Sequence, residues 1–347
     1  MEQHSSRAKV PAVRPHQDRL LSGRIAEARR PSLHPRARRP PPRSPPSASG
    51  LFLVDPRPPT QPKTVALPDR AGMRRFPTVF RSAPAMRYGW WRGPIPFRGM
   101  TLVLVNGNPE TAAIWPPLIS ELGRDDTLTL SPPGFGAPLP DGFGATYDDY
   151  VAWLIGELEA IGEPVDLVGH DWGANFTLRL ACERPDLLRS WSIDTAGCFA
   201  PGYVFDDVPC HIWQTPGAGE EAVAAWLALG IEDRASLNQS MGMTPTVARA
   251  LAEALDDTMA RCILAVYRSV PEAVLAHWGQ NASAASARPG LVIVPAGDVH
   301  TGGEDRHRWV AERAGASVAV LEGVGHWWML QDPAAGAAAL RRFWAAI

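Results

Sequence analysis

The pentapeptide Gly169-His170-Asp171-Trp172-Gly173 ends the run Val165–Val168 and opens an amphipathic stretch from Ala174 to Glu183. Strand, sharp turn and helix in that order put the central residue at the tip of a tight bend. Small neighbours are required there because the strand and helix pass close together. The tip residue is an aspartate. A carboxylate oxygen can displace a leaving group from an sp3 carbon and form an alkyl ester, which points away from ordinary ester cleavage by serine. Release of product then needs water activated by a base of near-neutral pKa. It also needs fixed N–H donors for the carbonyl oxygen that becomes charged, each worth about 3–4 kcal/mol in related acyl chemistry. His326, in Gly325-His326-Trp327 and six residues before Asp332-Pro333, follows the last predicted strand and is the candidate base. His4, His16, His34, His211, His277, His300 and His307 lack such a setting and read as surface or core histidines.

A sheet must position these groups. From Phe76 onward, short apolar runs alternate with helical periods, which predicts a mostly parallel sheet flanked by helices, an α/β architecture. Thr78–Ser82 and Met86–Trp91 read as an opening hairpin. Strands follow at Thr101–Val105, Thr127–Leu130, Val165–Val168 and Ser190–Ile193, with helices at Ala112–Leu122 and Tyr147–Ile161, the latter capped by Thr146. Only helical periods occupy residues 197–285, among them Glu220–Leu229 and Val247–Leu255. The strand pattern returns at Leu291–Val294 and Ser317–Leu321, with helices at Arg306–Ala314 and Pro333–Trp344. The organisation is therefore a sheet domain in two parts, 76–196 and 286–347, interrupted by a helical cap.

The net charge of −2 conceals an asymmetry. Residues 1–75 hold 14 Arg and 2 Lys against 5 acids, a balance of +11, so the remainder carries −13. Pro-rich runs such as Arg39-Pro40-Pro41-Pro42-Arg43, with few aromatics, predict a disordered, non-structural extension, with Met73 as a candidate start. The acidic remainder argues against nucleic acid as a partner. No apolar run approaches the roughly 18 residues of a membrane span, and no secretory signal pattern is present, so a cytoplasmic location is expected. Cys182, Cys198, Cys210 and Cys262 lack metal-ligand spacing and read as reduced packing residues. No metal or cofactor is called for.

Four separated motifs, in order, resemble the α/β-hydrolase superfamily and within it the aspartate-nucleophile branch of epoxide hydrolases and haloalkane dehalogenases. Asn106-Gly107-Asn108-Pro109 resembles the oxyanion loop, with Asn106 where the family usually has His. Pro133-Gly134-Phe135-Gly136 resembles the turn after the next strand. The Asp171 elbow and the His326 loop complete the set. The resemblance spans Phe76 to the C-terminus and implies an α/β-hydrolase fold with an inserted cap. It assigns the oxyanion donors to the backbone N–H groups of Asn108 and Trp172. The acid orienting His326 falls to Asp298, after Leu291–Val294, with Asp194, after the preceding strand, as the alternative.

The resemblance leaves two substrate classes. An epoxide needs an acidic O–H aimed at its oxygen, which the family supplies from two cap tyrosines. Tyr267 resembles the second, and Trp213, in Trp213-Gln214-Thr215-Pro216-Gly217, belongs to the segment that follows the first. The position of the first tyrosine is Pro209, for which Tyr203, His211 or Trp213 are candidate substitutes. A halide needs weak N–H donors, and the Asn108 side chain with Trp172 matches the halide-holding pair of dehalogenases. The preferred reading is conversion of a small apolar epoxide and water to a diol. The alternatives are a haloalkane or haloacid dehalogenase and, from another class, a non-catalytic ligand receptor on the same fold.

Overall fold

The computed structural model describes residues 101–347 except 206, 207 and 276, with the backbone alone at 208 and 209. The proposed hairpin and the Pro/Arg-rich extension lie outside the described residues. Six parallel strands form one sheet in the order β2-β1-β3-β4-β5-β6. They are β1 Leu102–Val105, β2 Thr127–Leu130, β3 Val165–Gly169, β4 Leu188–Ile193, β5 Gly290–Pro295 and β6 Ser317–Leu321. β1, β3 and β5 are buried throughout, as strands covered by helices on both faces must be. The one charged residue within β3, Asp166, is also buried, and it accepts hydrogen bonds from Arg189 and Ser190 of β4.

The crossovers are helical. α1 spans Pro116–Leu122, α2 Tyr147–Ile161 and α3 Trp172–Glu183. α2 begins with a reciprocal cap: the Thr146 hydroxyl accepts from the Asp149 main-chain N–H, and the Asp149 carboxylate accepts from that of Thr146. The helix expected over Ala112–Leu122 is instead a 3-10 turn, Ala112–Ile114, followed by α1. Two prolines explain the break, because Pro116 and Pro117 have no N–H to give a preceding turn and are accommodated only at the start of a new helix.

Between β4 and β5 the elements among the described residues are helical, beginning with a 3-10 turn, Ala196–Phe199. α4 Val208–Gln214, α5 Ala218–Ala228, α6 Ile231–Ser240, α7 Pro245–Ala254, α8 Asp257–Arg268 and α9 Glu272–Leu275 lead to a 3-10 segment, Trp278–Ala287. After β5 come α10 Gly303–Ala314, β6, α11 Trp328–Gln331 and α12 Pro333–Ala345. The apolar core divides across the sheet. One cluster, including Tyr150, Phe176 and Trp191, extends into the helical insertion through Ile263 and Val266. The other joins Leu102, Leu118, Trp328 and Leu340.

Candidate active site

Asp171 stands between the end of β3 and the start of α3 with φ +52° and ψ −123°, a backbone conformation costly for a residue with a Cβ. The turn closes only because its neighbours are glycines. A Cβ on Gly173 would lie 2.4 Å from the Val105 carbonyl oxygen, and one on Gly107, in the loop after β1, would lie 2.4 Å from the Asp171 Cβ. The tight bend divides the labour of the two carboxylate oxygens. Oδ2 accepts the main-chain N–H of Trp172 at the head of α3, and Oδ1 lies 3.7 Å from His326 Nε2.

His326 enters from the loop between β6 and α11. Its Nδ1 is 2.8 Å from Asp298 Oδ2, and Asp298 Oδ1 accepts the His300 main-chain N–H at 2.8 Å. The loop after β5 thus brings Asp298 to the imidazole. Asp194 is directed elsewhere. Burial drives the Asp298 carboxyl upward, but the facing imidazole outweighs it and holds it below its ordinary value. Burial likewise pulls His326 down, and the Asp298 and Asp171 carboxylates outweigh that, leaving the imidazole well above 6.5. Asp171 is raised, mainly by burial, with His326 opposing.

A second buried ionic cluster lies beside this line, and the sequence reading missed it. His170 is fully buried and held between two carboxylates. Its Nδ1 is 2.6 Å from Asp194 Oδ2, and its Nε2 is 3.1 Å from Glu110 Oε1. Asp194 also accepts from the Asp171 main-chain N–H at 3.1 Å, Thr195 Oγ1 at 2.9 Å and Trp328 Nε1 at 2.6 Å. Glu110 accepts from the indole of Trp327 and, at 3.3 Å, the main-chain N–H of Gly107. Against the pull of burial the two anions raise His170 to about 10, so it is an imidazolium at neutral pH. It in turn outweighs their own burial and lowers both carboxylates. Glu110, His170 and His326 place ligand atoms within 4.8 Å of one another, a spacing that could hold a metal ion. The hydrogen bonds of His170 to both carboxylates account for that proximity without one. The available signal was a histidine at the end of a buried strand, which must find partners, and a carboxylate two residues beyond Asn108.

Above these groups is a cavity of about 350 Å³ whose lining includes Asn108, Asp171, Trp172, Trp213, Tyr267 and His326. The Tyr267 hydroxyl lies 3.3 Å from the Cys210 sulfur, and its ring stands edge-on to Trp172 with 5.0 Å between centroids. Burial, followed by the nearby Cys210 and Asp171, raises its pKa well above 10. Trp213 stacks on Trp226 at 6.3 Å and packs against Tyr267 at 5.1 Å between ring centroids. The Asn108 side chain is 5% exposed and neither of its polar atoms has a partner among the described residues. Two candidate stand-ins for the absent tyrosine are otherwise employed. The Tyr203 hydroxyl donates to the His300 carbonyl at 3.1 Å, and His211 is exposed away from the lining. His300 is exposed, as expected of a loop residue, yet it lines the cavity with its ring 5.5 Å from that of His326. His307 is buried, between the Gly303 and Asp194 carbonyl oxygens.

Residues 102–339 match the alpha/beta hydrolase family, and the chain belongs to it. No curated protein sequence matches the chain significantly. Among solved structures it resembles an enol-lactonase from Burkholderia xenovorans (TM-score 0.55, 16% identity, covering 71% of this chain and 92% of the other). It also resembles a haloalkane dehalogenase from Bradyrhizobium elkani (0.54, 16%, 72% and 92%). A third is an N-formylmaleamic acid deformylase from Pseudomonas putida (0.56, 16%, 71% and 93%). At such identities the likeness establishes the α/β-hydrolase fold, and the chemistry must be argued from the site.

Proposed function

We propose that the protein hydrolyses a small electrophilic substrate through an ester on Asp171, and that the substrate is an epoxide. Oδ1, the oxygen facing His326, attacks the ring carbon, the C–O bond breaks, and Tyr267 gives its proton to the departing oxygen. Water deprotonated by His326 then adds to the ester carbonyl. The resulting charge falls on Oδ2, already held by the Trp172 N–H; on collapse the expelled oxygen takes the proton from the His326 imidazolium, the diol leaves, and the proton left on the Asp171 carboxyl returns through solvent to the Tyr267 phenolate, restoring both groups. Asp298 orients the imidazole and balances its charge. One observation supports the epoxide most: Tyr267 lines the cavity together with Asp171 and His326, and burial beside Cys210 and Asp171 keeps its hydroxyl protonated, so it carries a proton to give to the opening ring.

Dehalogenation is the second reading, favoured by the unpartnered Asn108 carboxamide in the same lining, whose NH2 could hold a departing halide. A receptor without catalysis has less support, since it gives no reason for the Asp171–His326–Asp298 line. The shared ester step is tested by trapping. His326→Gln protein incubated with epoxides and haloalkanes is expected to gain the mass of one substrate on Asp171, and a fluorophosphonate should leave wild type unlabelled. No adduct with any substrate that wild type turns over would sink the proposal.

A further inference from the structure

The insertion contributes a cation to the cavity wall that no anion among the described residues neutralises. Arg234, in α6, is half-buried and lines the cavity. Its Nε donates to the Leu229 carbonyl at 3.1 Å and its Nη1 to the Leu255 carbonyl at 2.8 Å. Both acceptors are neutral, and among the described residues no carboxylate pairs with it. Of the other cap arginines, Arg249 is paired with Glu232 and Glu253 and Arg268 with Glu220, while Arg261 is exposed and outside the cavity lining. Five guanidinium N–H groups are available and these contacts use two. The two carbonyls fix the plane of the group at the cavity edge, so the remaining donors need no further ordering to meet a ligand.

A second donor without a partner stands at the same junction. Trp226, near the end of α5, lines the cavity with its indole nitrogen buried and unpaired. It is tied to Arg234 through the chain, since the Leu229 N–H donates to the Trp226 carbonyl and the Leu229 carbonyl accepts from Arg234. A buried N–H without an acceptor is costly, and one that lines a cavity can be satisfied by an acceptor placed there. The wall of the same cavity includes Leu237, Met241 and Leu255, which offer nothing charged.

We infer that Arg234 and Trp226 form a carboxylate-binding subsite, so that the substrate is an electrophilic carboxylic acid whose acid group sits under α5 and α6. One guanidinium and one neutral N–H match a single negative charge with two oxygens; a phosphate dianion would call for more cations. The apolar wall takes a hydrocarbon spacer, and the cavity has room for roughly a dozen water-sized groups. This inference rests on the reading of Asp171 as the nucleophile, to which the far end of the acid is presented.

The test uses ligands that cannot react. Octanoate and octanamide have the same length and differ in charge, and their binding to the full chain is measured calorimetrically at pH 8. Wild type is expected to bind octanoate about tenfold or more tighter than octanamide. Arg234→Gln should abolish that preference while leaving octanamide affinity unchanged, Arg234→Lys should keep part of it, and Trp226→Phe should weaken octanoate alone. Equal affinity for the two ligands in wild type, no octanoate binding, or equal loss of both in Arg234→Gln would overturn the subsite. Should that variant not fold, Arg234→Lys and Trp226→Phe are judged by the same preference. Because neither ligand is turned over, failure here is distinct from failure of the ester mechanism, which the adduct experiment reads.

Discussion

At the scale of single residues, His170 and His326 divide structure from chemistry. His170 is raised above its unfolded value of 6.5 to about 10 by Asp194 and Glu110, against burial. Its contribution to stability is therefore fully present below about pH 6.5 and lost as pH rises through about 10. Thermal melts of wild type should show a decline over that window, and a flat profile would refute the buried imidazolium. His170→Leu removes the cation between two buried carboxylates and is expected to cost about 3–5 kcal/mol in denaturant unfolding. His326 behaves differently during turnover. Esterification removes the Asp171 charge that helps hold its proton, so its pKa falls when a base is needed. Single-turnover ester hydrolysis should therefore slow as pH drops through the pKa of His326 in the ester form. Alkylation should slow only where Asp171 itself becomes protonated. The leaving group is read by a pair of variants. For an epoxide, Tyr267→Phe should slow alkylation by about 1.5–3 kcal/mol, or roughly 10- to 150-fold, with Asn108→Ala milder. For a halide the order reverses. Asp171, His326 and Asp298 were legible because each sits at a strand end beside a motif. Glu110 and His170 were not, because their meaning lies in contacts 60 and 24 residues apart along the chain.

At the scale of elements, the elbow depends on close passage. Gly173→Ala would place a methyl against the Val105 carbonyl at 2.4 Å and force β1, β3 and α3 apart. A loss of stability of about 1–3 kcal/mol is expected, with a larger loss of adduct formation because Asp171 leaves its place. Normal adduct formation in a soluble Gly173→Ala protein would contradict this account of the turn. Strand positions were readable from short apolar runs, and α2 from its Thr146 cap, since both signals are local. The division of the expected Ala112–Leu122 helix was marked in the sequence by Pro116-Pro117 but hidden by a continuous apolar period. Which loop reaches His326 was decided by strand order, which places β4, β5 and β6 side by side and sends Asp194 under the elbow while Asp298 faces the imidazole.

At the scale of the whole molecule, no helix among the described residues is long and apolar enough to cross a membrane. The family match begins at residue 102, and the composition of residues 1–72 gives them little with which to build a core. A chain starting at Met73 is expected to keep turnover and melting temperature within error, and loss of soluble protein would show that the extension is needed. The insertion has a different standing. Its chain leaves the sheet after β4 and returns in β5, and these two strands are hydrogen-bonded neighbours with Trp191 opposite Gly290. The length and content of everything between them are invisible to the strand register below. The roof of the pocket is thus hung from two adjoining anchor points on the sheet. A change in the length of this roof leaves the pairing of β4 with β5 where it is, and with it the strand ends that carry Asp194 and Asp298.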